Sequence, residues 1–211
     1  MTFSASANPI AYQSANPFFI DSELETWNMD PDLLKNALED SNKNGKLPKA
    51  IIPVHLYGMP AKMNQILTIA NEYGIPVIED AAEAMGSNID KKSCGSYGNF
   101  GILSFNGNKI ITTSGGGALL SDNFEMIEKA RFLATQARDN APHYQHSHIG
   151  YNYRMSNVLA GIGLGQLEVL NDRIASRRDN YSRYKKYFSK HNKAGFHLKF
   201  QEEPHGFYSN R

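Results

Sequence analysis

The sequence predicts an α/β protein with a parallel or mixed sheet and helices on both faces. Short apolar runs of strand length alternate along the chain with segments whose apolar residues recur at helical spacing. Of the 211 residues, 41% are hydrophobic and 20% are charged, which is typical of a globular domain. In such sheets ligands bind beyond the carboxyl ends of the strands, so residues at those ends are the first functional candidates.

Charge and cysteine content restrict the partners and the compartment. The formal net charge is +1 at pH 7, so no large field of one sign favours nucleic acid or an anionic membrane as a partner. No apolar run approaches the roughly 20 residues of a membrane span, and no leader pattern indicates secretion. The single cysteine, Cys94, cannot form an internal disulfide and has no histidine close by in sequence. We expect a cytoplasmic protein with a structural Cys94 and no metal site.

The first half of the chain contains five predicted elements. Asp30 is a typical helix N-cap, Pro31 suits the first helical position, and Gly74 is a typical helix stop. In chain order the elements are a buried strand over 16–21, a helix from 31, a strand over 50–58, a helix over 63–73 and a strand over 75–80.

The second half adds two strands and two helical regions. The strands are predicted over 100–105 and 117–121, and Asp122 with Glu125 forms a capping-box pattern before the next helix. Ser156 caps a long helical stretch that we expect to continue to about Phe188. Its first half carries three glycines, which each cost a helix roughly 1 kcal/mol relative to alanine, so we expect close approach to another element there.

Four side chains are predicted to meet at the carboxyl edge of the sheet: Asp80, Glu83, Ser104 and Lys109. A buried lysine is costly unless it is paired or used covalently. A planar cationic heterocycle with a phosphate could use the whole set, and pyridoxal phosphate fits that description. The residues alone leave two alternatives open, namely a plain strand-end acid at Asp80 and a solvated loop lysine at Lys109.

Four motifs extend this prediction to a family: PVHLYG, IPVIEDAAEAMGS, GSYGNFGILSFNGNKIITTSGGGALLSD and GYNYRMSNVLAGIGLGQLEVL. In order and spacing they resemble the DegT/DnrJ-type nucleotide-sugar aminotransferases, which are pyridoxal phosphate enzymes of fold type I. The resemblance covers nearly the whole chain and is closest to the 4-aminotransferases that make UDP-N-acetylbacillosamine precursors.

The resemblance implies a role for each matching residue. Lys109 matches the lysine that binds the cofactor covalently and moves a proton, and Asp80 matches the carboxylate that faces the pyridine nitrogen. Glu83 matches a residue beside the ring and its phenolic oxygen, and Ser104 matches a phosphate ligand. The remaining matches are Asn152 at the phosphate of a neighbouring subunit's cofactor, Arg154 at the donor carboxylate, and His55 and Tyr57 as pocket-wall candidates.

The resemblance also implies an architecture and a reaction. The expected fold is the three-layer sandwich of the large domain, with a mostly parallel sheet, and it is expected to be incomplete at both ends. We expect a partial cofactor-binding domain over 1–155, a connecting helix over 156–188 and the start of a truncated small domain over 189–211. The expected reaction of the intact parent, a homodimer, is transamination of a UDP-linked 4-keto-6-deoxy amino sugar, with glutamate as the donor and pyridoxal 5'-phosphate as the cofactor.

Three alternatives to this function differ in class. The first is a non-catalytic fragment that only associates with a full-length subunit, since we expect this chain alone to be weakly active or inactive. The second is a sugar dehydratase that uses the pyridoxamine form of the cofactor, but those enzymes carry histidine where this chain has Lys109. The third is a dinucleotide-binding domain, which GGGALLSD does not support because it is not a G-x-G-x-x-G after a first strand.

Overall fold

A computed structural model describes residues 2–190 and 198–211 of the protein. Its strands form two three-stranded sheets. The central sheet has the order β1-β4-β5, with β1 at Ile78–Asp80, β4 at Phe100–Ser104 and β5 at Gly117–Leu120. β1 and β4 are parallel and β5 is antiparallel to β4. The second sheet is antiparallel, has the order β3-β2-β6, and consists of β2 at Asn88–Ile89, β3 at Lys92–Ser93 and β6 at Phe207–Tyr208.

Six α-helices accompany these strands in the described residues. None of them is both long enough and apolar enough to cross a membrane. In chain order they are α1 at Ser4–Tyr12, α2 at Pro31–Lys43, α3 at Met63–Glu72, α4 at Phe124–Ala134, α5 at Asn157–Glu168 and α6 at Leu170–Lys190.

The main hydrophobic core lies between α2, α3 and the edge of the central sheet. Leu34 and Leu38 of α2 and Ile66 of α3 are buried and pack with Ile51 and Val77. Each fully buried side chain of this kind stabilises the fold by about 1.5–3 kcal/mol. This core therefore fixes α2 and α3 against one side of β1, whose carboxyl end carries Asp80.

The predicted helix starts are confirmed at two of three positions. The Asp30 carboxylate accepts hydrogen bonds from the backbone N–H groups of Asp32 and Leu33, and the Ser156 hydroxyl accepts one from Leu159. The predicted cap at Asp122 is wrong by one residue. Asn123 caps α4 instead, because its side-chain oxygen accepts the Met126 N–H at 3.0 Å.

Two of the predicted strands differ from the structure. Residues 16–21 form no strand, and Phe18 and Phe19 are 77% and 69% exposed, so that prediction is wrong. The segment 50–58 forms only isolated parallel bridges, at Ile51 and Val54, before a 3-10 turn over Leu56–Gly58. Pro53 explains the interrupted pairing because it has no N–H to donate to a ladder.

The long helix from Ser156 is also interrupted. α5 ends at Glu168, Val169 leaves the helical region with φ −107° and ψ 13°, and α6 begins at Leu170. Close approach to another element occurs at one of the three α5 glycines, since a Cβ at Gly163 would lie 3.1 Å from Thr113 Cγ2. Residues 191–197, inside the predicted 189–211 segment, lie outside the described residues.

An ion pair joins α6 to the segment that follows it. The Arg178 guanidinium makes two hydrogen bonds to the Glu203 carboxylate, at 2.5 Å and 3.1 Å, and Ser209 donates its N–H and its hydroxyl to the same carboxylate. Burial acts to raise the pKa of Glu203, but these donors outweigh it and lower the pKa to about 2. Glu203 therefore stays ionised in the folded protein well into the acid range.

The depressed pKa makes stability depend on pH. The Glu203 contribution is fully present above the ordinary pKa of 4.5 and is lost as the pH falls toward about 2. We expect Glu203→Gln to lower the free energy of unfolding near pH 7 and to differ progressively less from the parent protein as the pH falls through this window. Urea unfolding at several pH values measures the difference, with exposed Glu72→Gln as the control. A difference that is the same at pH 7 and pH 2.5 would contradict the assignment.

Candidate functional site

Three parallel segments end at the same edge of the central sheet. Val54 pairs with Asp80 in a parallel bridge, and Asp80 lies opposite Ile102 of β4. The turns that follow Val54, Asp80 and Ser104 therefore start side by side, as the sequence predicted. Because carboxyl ends of parallel strands collect functional groups, this edge is the candidate site.

Lys109 lies in the loop that leaves this edge after β4 and returns to it at β5. The loop is closed at its base by hydrogen bonds from Phe105 N–H to the Gly116 carbonyl oxygen at 3.0 Å and from Thr113 N–H to the Phe105 carbonyl oxygen at 2.9 Å. The Lys109 side chain is 16% exposed, and its Nζ lies 3.5 Å from Glu83 Oε1. Lys109 is therefore a largely buried, ion-paired lysine rather than a solvated loop residue.

Glu83 is held from a second direction. Its other carboxylate oxygen, Oε2, accepts the backbone N–H of Tyr57 at 2.9 Å. Tyr57 has φ +54°, in the left-handed region, which turns this N–H toward the neighbouring loop. Tyr57 itself is 56% exposed. The structure thus brings the turns after Val54, Asp80 and Ser104 together through one carboxylate.

Asp80 is half-buried and keeps free acceptor capacity. Its Oδ1 accepts the Ala82 N–H at 3.2 Å, and its Oδ2 accepts the hydroxyl of Ser6, in α1, at 2.5 Å. A carboxylate has about four lone-pair positions, so these two donors leave room for another. Ser6 was missed by the sequence analysis because no local pattern connects it to a residue 74 positions away.

Ser104 ends β4 at the same edge. It pairs with Gly117 across the ladder, is half-buried, and its hydroxyl oxygen accepts the Asn106 N–H at 3.4 Å. In this contact the hydroxyl is the acceptor, so its own hydrogen remains available to a ligand. Asn152 and Arg154 are exposed, and no hydrogen bond or ion pair among the described residues joins either of them to Lys109, Glu83 or Asp80.

His55 does not line a cleft in this chain. Its side chain is fully buried, its Nδ1 accepts the Ala61 N–H at 2.9 Å, and its Nε2 lies 3.0 Å from Glu79 Oε2. Because Nδ1 accepts a hydrogen bond, Nε2 carries the proton and donates it to Glu79. The pocket-wall prediction for His55 is corrected accordingly: both ring nitrogens are used in the interior.

Glu79 is the centre of this buried network. Its carboxylate also accepts the backbone N–H groups of Gly95 and Gly98 at 2.7 Å, and that of Tyr97. Burial acts to raise the pKa of Glu79, but the hydrogen bonds from His55 and the backbone outweigh it and lower the pKa. Glu79 thereby anchors the loop that leads into β4. It is a second residue that the sequence analysis missed, although it directly precedes Asp80, and its contacts give it a role in the fold.

Cys94 lies beside this network. It is buried, and burial together with the nearby Glu79 charge raises the pKa of its thiol. A raised pKa disfavours the reactive thiolate, which agrees with the structural role expected from the sequence.

Comparison with known proteins places this geometry in a family. Residues 1–209 match the DegT/DnrJ/EryC1/StrS aminotransferase family. The chain is 60% identical over 184 residues to EpsN of Bacillus subtilis strain 168, which is named as a pyridoxal phosphate-dependent aminotransferase. The aligned region covers 87% of this chain and 47% of EpsN. It is 41% identical over 186 residues to a GDP-perosamine synthase of Escherichia coli O157:H7, and the aligned region covers 88% of this chain and 50% of that protein.

A solved structure shares the fold. A DegT/DnrJ/EryC1/StrS aminotransferase from Brucella abortus superposes with a TM-score of 0.89 at 33% identity, covering 99% of this chain and 55% of the other. The predicted fold class is thereby confirmed, and the chain spans about half the length of the relatives it matches. The chain belongs to the DegT/DnrJ/EryC1/StrS aminotransferase family.

Proposed function

We propose that the protein transfers an amino group from glutamate to a keto sugar linked to a nucleotide, with pyridoxal 5'-phosphate as its cofactor. The observation that carries this proposal is the largely buried Lys109 amine, paired with Glu83 at the edge of the sheet that Asp80 and Ser104 share. Overall, the amino group of glutamate is exchanged for the ketone oxygen of the sugar, so no external oxidant is required.

The residues present fit the cofactor. When bound, pyridoxal phosphate supplies an electrophilic carbon and an electron-accepting ring. Lys109 would hold it covalently through Nζ, and Asp80 would hold a proton on the ring nitrogen through the free lone pairs of its carboxylate. Ser104 would donate its hydroxyl to the phosphate. Glu83 would orient the Lys109 amine, which moves the proton during the exchange.

The acceptor is proposed at a finer level from the sequence motifs. We propose a UDP-linked 4-keto-6-deoxy amino sugar. A GDP-linked sugar is the second candidate, because the relative that is 41% identical is named GDP-perosamine synthase. We also propose a homodimer in which Asn152 and Arg154 serve the neighbouring subunit's site. The exposure of both side chains supports this role, since neither is used by the cluster around Lys109.

Covalent trapping tests the proposal directly. The protein is mixed with pyridoxal phosphate, reduced with borohydride and digested, and the modified lysine is located by mass spectrometry. We expect modification at Lys109. The same preparation is then incubated with glutamate and a panel of UDP-, GDP- and dTDP-linked keto sugars, and the product mass identifies the acceptor. Modification spread over exposed lysines without preference for Lys109 would overturn the proposal, and attachment without turnover would favour the non-catalytic alternative.

Asp80→Asn separates binding from chemistry. The amide has no charge to hold a proton on the ring nitrogen, so we expect amino transfer to slow by about 100-fold or more, with much of the cofactor affinity kept. Single-turnover kinetics measure the rate, and a fluorescence titration measures the affinity. Exposed Asp40→Asn serves as the control for the chemical change. An unchanged rate in Asp80→Asn would remove Asp80 from the mechanism.

A further inference from the structure

Asn210 is a buried polar residue that no part of the proposed reaction uses. It is fully buried, and its Nδ2 donates hydrogen bonds to the backbone oxygens of Glu83 at 2.7 Å and Met85 at 2.8 Å. Its backbone N–H donates to the Ser87 hydroxyl oxygen at 2.9 Å. A residue 127 positions away in sequence thereby binds the turn that carries Glu83.

The same side chain packs against the second segment that holds Glu83. A Cβ added at Gly58 would lie 2.0 Å from Asn210 Oδ1, and Gly58 has φ +82°. Only glycine combines this backbone conformation with this close approach. Gly58 closes the 3-10 turn whose Tyr57 N–H donates to Glu83 Oε2. The Ser87 hydroxyl donates to the Gly58 carbonyl oxygen at 2.7 Å, which joins the two turns once more.

The energetics favour a role for the amide nitrogen in particular. Asn210 Oδ1 is a buried atom with no hydrogen-bond partner among the described residues. An unsatisfied buried acceptor is unfavourable, a cost that an apolar side chain would avoid. What an apolar side chain cannot do is donate two hydrogen bonds to the turn at Glu83 and Met85.

We propose that Asn210 is a positioning residue that fixes the Glu83 carboxylate beside the Lys109 amine. It acts on both supports of that carboxylate: through Nδ2 on the turn that carries Glu83, and through its contact with Gly58 on the turn that supplies the Tyr57 N–H. With Oε2 held in this way, Oε1 faces Lys109 Nζ at 3.5 Å. The inference rests on the proposed function only in taking Lys109 as the reactive amine.

Competitive labelling of lysines tests the proposal without cofactor or turnover. Trace acetic anhydride is applied to the protein, and mass spectrometry gives the labelling rate of Lys109 relative to Lys62, which is ion-paired with Glu25 at 2.8 Å in the same molecule. Asn210→Asp keeps the side-chain shape and replaces the donor by an acceptor. We expect the relative rate at Lys109 to rise about two- to fivefold, the range expected for loss of one modest ion pair.

A double-variant cycle distinguishes positioning from general loosening. If Asn210 acts through Glu83, Asn210→Asp combined with Glu83→Gln labels Lys109 no faster than Glu83→Gln alone. Additive effects, or an unchanged rate in Asn210→Asp, would overturn the proposal. Asn210→Ser removes the amide without adding charge and replaces Asn210→Asp if that variant does not fold. The exposed substitution Asn180→Asp is the matched control and leaves the ratio unchanged.

The labelling experiment and the trapping experiment test the two proposals separately. Non-additive labelling without cofactor attachment at Lys109 would retain the positioning role and reject the proposed function. Cofactor attachment at Lys109 with additive labelling effects would retain the proposed function and reject the positioning role of Asn210.

Discussion

Replacing Lys109 with alanine is expected to abolish covalent attachment of pyridoxal phosphate and to slow amino transfer by at least about 10²–10⁴-fold, the range lost with a general acid–base group. The variant removes the amine that lies 3.5 Å from Glu83 Oε1 at the carboxyl edge of the sheet. Borohydride trapping followed by peptide mass mapping measures attachment, and product formation from glutamate and the sugar acceptor measures transfer.

Lys62→Ala is the matched control for this variant. Lys62 is also a largely buried, ion-paired lysine, with its side chain 24% exposed and its Nζ 2.8 Å from Glu25. It lies at the start of α3, where its ion-pair partners are Glu23 and Glu25 rather than Glu83, so attachment and transfer should persist. Substantial turnover in Lys109→Ala would show that the assigned role of Lys109 is wrong.

Replacing Glu79 with leucine is expected to lower the free energy of unfolding by about 3–5 kcal/mol, the usual effect of removing one partner from a buried charged network. Leucine would leave the His55 Nε2–H and three backbone N–H groups buried without an acceptor. The stabilising contribution of Glu79 is present above its ordinary pKa and is lost on acidification, because the folded-state pKa is lowered. Urea unfolding at neutral pH measures the effect.

Two further variants make the Glu79 result interpretable. Glu79→Gln keeps one acceptor oxygen but turns an NH₂ group toward buried donors, so we expect an intermediate loss. Glu72→Leu changes an exposed glutamate at the end of α3 and should alter stability by no more than about 0.5 kcal/mol. A loss below about 1 kcal/mol in Glu79→Leu would mean that the network around His55 is not important for the fold.

The features predicted correctly from the sequence depend on local chemistry. The caps at Asp30 and Ser156 are set by side chains next to the helices they start. The common edge at which the turns after Val54, Asp80 and Ser104 begin follows from the topology rule that parallel strands end together. For the same reason, the pairing of Lys109 with the Glu83 turn could be anticipated, although its distance could not.

The features that were missed depend on tertiary context. Ser6 and Asn210 reach the site from 74 and 127 positions away, and no periodicity or spacing connects them to it. Phe18 and Phe19 have strong strand propensity but pair with no strand in the part of the chain that the structure describes, because tertiary pairing decides whether an apolar run becomes a strand. The break at Val169 has no proline or glycine at that position to signal it.

The late position of Asn210 has a consequence for biosynthesis. Residues 198–211 leave the ribosome long after earlier residues that they contact, including Glu83 and Thr26, the latter 175 positions before Gln201. Contacts between such distant positions close large loops and form slowly. A nascent chain can thus complete α2, α3 and their core early, while the hydrogen bonds from Asn210 to the turn that carries Glu83 form only after residue 210 has emerged.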